Sequence, residues 1–505
     1  MSAPVVKTRS GAVRGTIEQS VATFKGIPYA APPVGPRRFV APTPPEPWDG
    51  EREASAFSPT PPQVDLAAQR FPGLDLSPIS GESWRKGDDY LTLNVWTPDP
   101  SARGLPVMVF IYGGAFVAGG SSTALYNGRP FARDGAVLVS FNYRLGIEGF
   151  LPVAGGDTNV GLRDQIAVLT WVQDNIAAFG GDPGKVTIFG ESAGALSVAT
   201  LLAVPSARGL FHRAISQSGG GQHTMSAEQA GRVAVRLSEI LGVPSTREDF
   251  ASLSFEQIVA AQAQLLPGSI PFTTAEDADP TGGLTLFLPV RDGELISAQP
   301  VEAIRGGASA TIDVLAGTNT QEMNLYYIPT GVVNLLDSDE KVGASLLGRH
   351  RAPETLVAAY RTNRPSATPG ELFSAIMTDW MFHIPTVRLA EAHAPHPGGT
   401  YLYEFAWPSP AYGGTLGACH GLELGFVFDT LDTPGLTGPQ GMVGDHPPHE
   451  LASHLHRTWI TFATTGNPGW PSYTTAQRSV MHVDTTWELL TDPVPRERHV
   501  WEGAR

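Results

Sequence analysis

The stretch that most restricts the fold runs from Lys185 to Ala203. Lys185-Val-Thr-Ile-Phe189 is β-branched and apolar, Gly190-Glu-Ser-Ala-Gly194 follows directly, and Ala195 to Ala203 carries a helix pattern that Pro205 stops. Strand, tight turn and helix in that order are the context in which G-x-S-x-G holds a serine on a sharp elbow. The pattern alone is weak, since a chain of this composition contains about 0.4 such matches by chance. In its context, the turn forces Ser192 into a strained backbone and brings positions 190 and 194 together, where only glycine avoids a clash.

The same alternation extends on both sides. Apolar runs at Pro106–Ile111 and Ala136–Phe141 precede a helical pattern over Leu162–Ala178, and strand-like runs recur at Arg213–Ser216, Ile312–Ala316 and Thr400–Phe405, with a helix near Leu451–Thr464. Short, fully apolar strands separated by helices predict an α/β fold with a large, mostly parallel central sheet covered by helices on both faces. Ser192 then stands at the carboxyl edge of that sheet, where such folds bind ligands.

A chain of 505 residues, 42% hydrophobic, is long enough to bury a large core, and no linker, charge block or repeat divides it, so a single domain over 1–505 is expected. Its 56 glycines and 44 prolines have no fixed period and predict long ordered loops. Pro42–Lys86 and Gly268–Gly283 fit neither strand nor helix, which points to lid or wall regions near 59–89 and 268–283. A net charge of −15 argues against binding nucleic acid or an anionic membrane. The single cysteine, Cys419, excludes an intramolecular disulfide and multi-thiolate metal centres. No signal-like apolar run opens the sequence, and Leu105–Gly120 is broken by Gly113, Gly114, Gly119 and Gly120. A cytoplasmic protein is expected, with its oligomeric state open.

A serine nucleophile needs a base, and the oxyanion it creates needs donors. Ala193 offers its N–H at the positive end of the helix after Ser192. Tyr112-Gly113-Gly114-Ala115-Phe116 follows a strand, and at Gly114 and Ala115 the backbone N–H groups are unobstructed. As a phosphate loop this cluster fails, because no Gly-Lys-Ser/Thr follows. Glu322 is, on the residues alone, an acid just beyond a strand, equally consistent with a solvated loop charge. Thirteen histidines compete as base.

Taken together, the motifs resemble the type-B carboxylesterase family of α/β-hydrolases, which includes cholinesterases and bacterial esterases. The resemblance spans nearly the whole chain: Phe24–Gly35, Asp89–Trp96, Ile111–Phe116, Phe141–Gly146, Asn175–Pro183 running into Gly190–Gly194, Gln217–Gly219, Leu288–Gly293, Gly317–Glu322 and Ala418–Phe428. It implies an α/β-hydrolase fold with loops around an active-site gorge. It also implies a triad of Ser192, Glu322 and His420, an oxyanion hole from Gly114, Ala115 and Ala193, and supporting positions at Gly113, Glu191 and Ser218. The implied activity is hydrolysis of small-molecule esters through an acyl-enzyme, with no cofactor and no metal. As base, His420 implies a kcat/KM that rises with pH through the histidine range, roughly 6 to 7.5.

Departures from the family pattern are few. Tyr90 and Pro61 stand where relatives often pair two cysteines. His446, His449, His454 and His456 invite a metal reading, but Pro447 and Pro448 keep the first two off a common helical face. Cys419, next to His420, reads as a buried structural thiol. The alternatives are a non-catalytic cholinesterase-like binding protein and, within the enzyme class, a carbamate or amide hydrolase.

Overall fold

The apolar runs pair into one sheet because each, buried on both faces, can satisfy its backbone only against a neighbouring strand. The computed structural model describes residues 3–64, 71–81, 83–265, 270–274, 277–347 and 349–504. Among them, eleven strands form the main sheet. These are β1 (Thr16–Glu18), β2 (Val21–Pro28), β3 (Thr92–Thr97), β4 (Leu105–Ile111), β5 (Val137–Phe141) and β6 (Gly181–Glu191), followed by β7 (Arg213–Gln217), β8 (Asp313–Asn319), β9 (Thr400–Phe405), β10 (Ser479–Val483) and β11 (Trp487–Thr491).

Their spatial order is β11-β10-β9-β8-β7-β6-β4-β5-β3-β2-β1. From β10 across to β5 every pairing is parallel, whereas β3, β2, β1 and β11 join antiparallel. The expected parallel strands are therefore the centre of a mixed sheet. Its antiparallel flanks carry weaker patterns: β2 is interrupted by a register shift between Phe24 and Ile27, and β11 is largely exposed.

Helices cover both faces. Helix α1 (Val160–Asn175) packs on β6, α2 (Ala193–Ala203) on β6 and β7, α3 (Ile384–His393) on β8 and β9, and α4 (His449–Thr465) on β4 and β6. Besides the main core, a second apolar cluster gathers Val342, Leu356, Tyr360, Ile376, Trp380 and Trp501.

In the two expected lid regions, the described residues form one short helix, Ser77–Ser80, and no strand. Residues 65–70, 82, 268–269 and 275–276 of those regions lie outside the described residues. Tyr90 is fully buried at its family-disulfide position. Among the described residues no helix is long and apolar enough to cross a membrane.

Candidate active site

Four central strands end side by side, and each delivers part of the site. At the end of β6, Ser192 takes φ +55° and ψ −124°, outside every region an L-residue favours, immediately before α2 begins. The strain is held from outside: the Ser192 N–H donates to Gln217 O at the end of β7 at 2.9 Å. A Cβ on Gly190 would lie 2.6 Å from the Gly194 carbonyl carbon and 2.7 Å from Ile111 O, and one on Gly194 would run into Ile111 O. Both elbow glycines are thus required by close backbone approach to β4 as well as to each other.

After β4, Gly114 and Ala115 both have positive φ, +104° and +55°. A Cβ on Gly113 would sit 3.0 Å from Ser192 Cβ, so this loop is in contact with the elbow. The N–H groups of Gly114, Ala115 and Ala193 make no hydrogen bond to protein acceptors among the described residues. The carbonyl of Ala115 is fixed by the Thr285 hydroxyl at 2.9 Å, and that hydroxyl in turn accepts from the Phe287 N–H at 3.1 Å.

Past β8, the Glu322 side chain is completely buried and grips His420: Oε2 lies 2.7 Å from Nδ1. Its other oxygen accepts from the Ser218 hydroxyl at 2.6 Å and the Asn319 N–H at 2.7 Å. The structure therefore brings Glu322, His420 and Ser218 into one hydrogen-bonded group, with Glu322 orienting the ring. His420 Nε2 faces Glu191 Oε1 at 3.2 Å, out of line for a hydrogen bond, and it makes none with Ser192 Oγ. The rings of Phe382 and Tyr326 lie against the imidazole, with centroids 4.5 and 5.8 Å from it.

A further carboxylate stands behind this group. Glu423 is fully buried and accepts from Asn319 Nδ2 at 2.6 Å and Gln217 Nε2 at 3.2 Å, while the Trp459 indole donates to Gln217 Oε1 at 3.1 Å. Asn319 also donates to Cys419 O at 2.7 Å, so the ends of β7 and β8 and the histidine loop are tied together. Gln217, Asn319 and Glu423 fall within the family-like stretches Gln217–Gly219, Gly317–Glu322 and Ala418–Phe428, but only tertiary contact reveals that they join one another.

Crowded carboxylates change the local titration. Burial, with the charges of Glu423 and Glu322, pushes Glu191 up to about 8, and burial with Glu322 pushes Glu423 up to about 7. For His420, burial acts to lower the pKa, but the Glu191 charge and the Glu322 hydrogen bond outweigh it and push the ring up to about 9. That lies above the ordinary histidine range expected from sequence, because carboxylates face both ring nitrogens. Burial likewise pushes the Cys419 thiol well up, which disfavours its thiolate.

Ser192, His420, Gly113, Gly114 and Ala115 open onto a cavity of about 730 Å³. Its walls are mainly apolar: Phe71, Leu76 and Ile79 from one expected lid region, and Leu284, Leu286, Phe287, Leu325 and Tyr326 beyond the other. Phe272 and Tyr327 do not line it; Phe272 is buried in the main core, and Tyr327 stacks on Phe373 at 5.3 Å. Elsewhere, His454 stacks on Trp487, His456 binds Val427 O through Nδ1 at 2.7 Å, and His449 faces Asp432, so these histidines diverge.

Comparison with known proteins agrees along the whole chain. A model of the Carboxylesterase family matches residues 2–499. The chain is 38% identical over 515 residues to para-nitrobenzyl esterase of Bacillus subtilis, covering 99% of this chain and 98% of that one. It is 34% identical over 514 residues to phenmedipham hydrolase of Pseudarthrobacter oxydans, with 98% of each covered. A solved structure of a Geobacillus stearothermophilus carboxylesterase is similar at a TM-score of 0.85 and 36% identity, over 98% of this chain and 99% of that one.

Proposed function

The chain belongs to the carboxylesterase family and is a carboxylic ester hydrolase of the α/β-hydrolase fold, and on that premise we propose that it cleaves esters at Ser192 through an acyl-enzyme. The observation that carries the reading is the strained Ser192 opening onto the same cavity as His420, whose Nδ1 is held by buried Glu322 at 2.7 Å.

In this reading His420 Nε2 removes the Ser192 proton as Oγ attacks the ester carbonyl, then gives it to the departing alcohol. Water repeats the cycle on the acyl-enzyme and releases the acid. Glu322 fixes the ring tautomer and stabilises the imidazolium. The unpaired N–H groups of Gly114, Ala115 and Ala193 receive the oxyanion in an apolar cavity, where each donor counts for more than in water. Because Nε2 faces Glu191 rather than Ser192, a small rotation of the ring accompanies attack.

Ser192→Ala is expected to abolish hydrolysis of p-nitrophenyl butyrate while leaving the circular dichroism spectrum unchanged; activity near wild type refutes the assignment. Stoichiometric labelling by an organophosphate separates this enzyme from a cholinesterase-like binding protein. The relative named for phenmedipham makes that compound the probe for activity beyond simple esters.

A further inference from the structure

We propose that Gln262 presents a hydrogen-bond donor to the substrate from an otherwise apolar stretch of cavity wall, so that the enzyme favours esters bearing a second acceptor oxygen, such as a ketone, away from the scissile carbonyl. The proposal deepens the reading above and rests on ester hydrolysis in the same cavity.

Gln262 closes the helix Phe255–Gln262 and lines the cavity while only 8% exposed. Its orientation is set: Oε1 accepts the Ile147 N–H at 3.1 Å, which leaves Nε2 as the free end. That NH₂ group has no acceptor among the described residues. Space for the amide is provided by Gly146, at φ +52°, where a Cβ would collide with the carboxamide. The Gly146 N–H in turn donates to Phe116 O at 2.6 Å, one residue beyond Ala115, so the amide is anchored to the loop of the oxyanion donors. Its neighbours in sequence on the cavity wall, Ala263 and Leu265, are apolar, as are Leu284, Leu286 and Phe287 elsewhere in the lining.

A buried amide donor in such a wall is satisfied by water while the cavity is empty. A bound apolar ester expels that water and leaves the donor unpaired, whereas an acceptor oxygen replaces it. Pockets discriminate between substrates in this way through a few fixed polar groups in apolar walls. One neutral hydrogen bond corresponds to a preference of about threefold to tenfold.

The bland role for Gln262 is to cap the Ile147 N–H alone. Two variants separate the roles: Gln262→Glu, assayed at alkaline pH where its carboxyl is ionised, keeps an oxygen for Ile147 but loses the donor, and Gln262→Met loses both. The test compares kcat/KM within two isosteric pairs. One pair is 4-acetylbenzyl and 4-isopropenylbenzyl butyrate; the other is benzyl 4-oxopentanoate and benzyl 4-methylidenepentanoate. Each ratio is taken within a single protein and is independent of how much of a variant folds.

The expected result is a wild-type preference for the ketone in at least one pair by about threefold to tenfold, collapsing to about one in both variants through loss of the ketone rate. Equal rates within both wild-type pairs, or a ratio that survives Gln262→Met, overturn the proposal. Absence of turnover for all four esters overturns the ester-hydrolase reading itself, an outcome distinct from a lost preference.

Discussion

His420 is the residue whose surroundings depart furthest from what its motif implies. Glu322 holds one ring nitrogen, Glu191 faces the other at 3.2 Å, and these anions stabilise the imidazolium. The proposed mechanism needs the neutral ring, so kcat/KM is expected to rise with pH, through a midpoint above the ordinary value of about 6.5. Removing an anion removes that stabilisation and lets the proton leave at lower pH. Glu191→Gln is therefore expected to move the midpoint towards acid by about one unit, read from kcat/KM of p-nitrophenyl butyrate between pH 5 and 10. An unmoved midpoint, or one shifted towards alkali, refutes the electrostatic coupling. Within G-x-S-x-G, position 191 can be any residue, and nothing local to it tells which way the carboxylate turns. Its place against His420 is decided by a loop more than two hundred positions further along.

At the level of elements, the loop after β4, proposed above to receive the oxyanion, is braced by the segment around Thr285 rather than by its own sequence. The Thr285 hydroxyl satisfies both Ala115 O and the Phe287 N–H. Thr285→Val leaves both buried groups unpaired and frees the loop, and donors that must meet the oxyanion in fixed geometry lose alignment. A fall in kcat of about tenfold with KM changed far less is expected, with Thr285→Ser restoring the rate. Equal losses in kcat for Val and Ser variants, or a change confined to KM, would contradict this bracing. The centre of the sheet was legible because strands such as Val137–Phe141 are apolar on both faces, a pattern that allows one environment only. The elbow was legible because close backbone approach demands glycine at 190 and 194. Thr285 and Gln262 were not, since their meaning lies in single hydrogen bonds to Ala115 and Ile147, far away in the chain. The antiparallel edge strands β1 and β11, partly exposed, carry too little pattern to be assigned.

Across the whole molecule, His420 sits where two apolar clusters meet. The smaller cluster is closed by Trp501, fully buried near the C-terminal end of the described chain. Its indole donates to Tyr360 OH at 2.8 Å, and its ring lies 5.6 Å from Trp380 and 5.2 Å from His350, centroid to centroid. Tyr360 in turn hydrogen-bonds Asp379, which begins the π-helical turn Asp379–His383. That turn carries Phe382, the ring packed on His420. Trp501→Ala removes a buried indole at a cost of about 3–5 kcal/mol. For a chain of this length melting as one unit, that cost lowers the transition by about 4 °C. Confined to a smaller cooperative unit, which gains less entropy on melting, the same cost produces a larger drop. Because the lost contacts all belong to the smaller cluster, the temperature at which activity is lost is expected to fall by clearly more than 4 °C. The far-UV transition of the main sheet is expected to move little, while kcat/KM at 25 °C stays within a few-fold of wild type, since His420 also packs on Tyr326. Parallel heating curves of esterase activity and circular dichroism decide the matter, and an unchanged temperature of activity loss would show that the small cluster does not support the histidine.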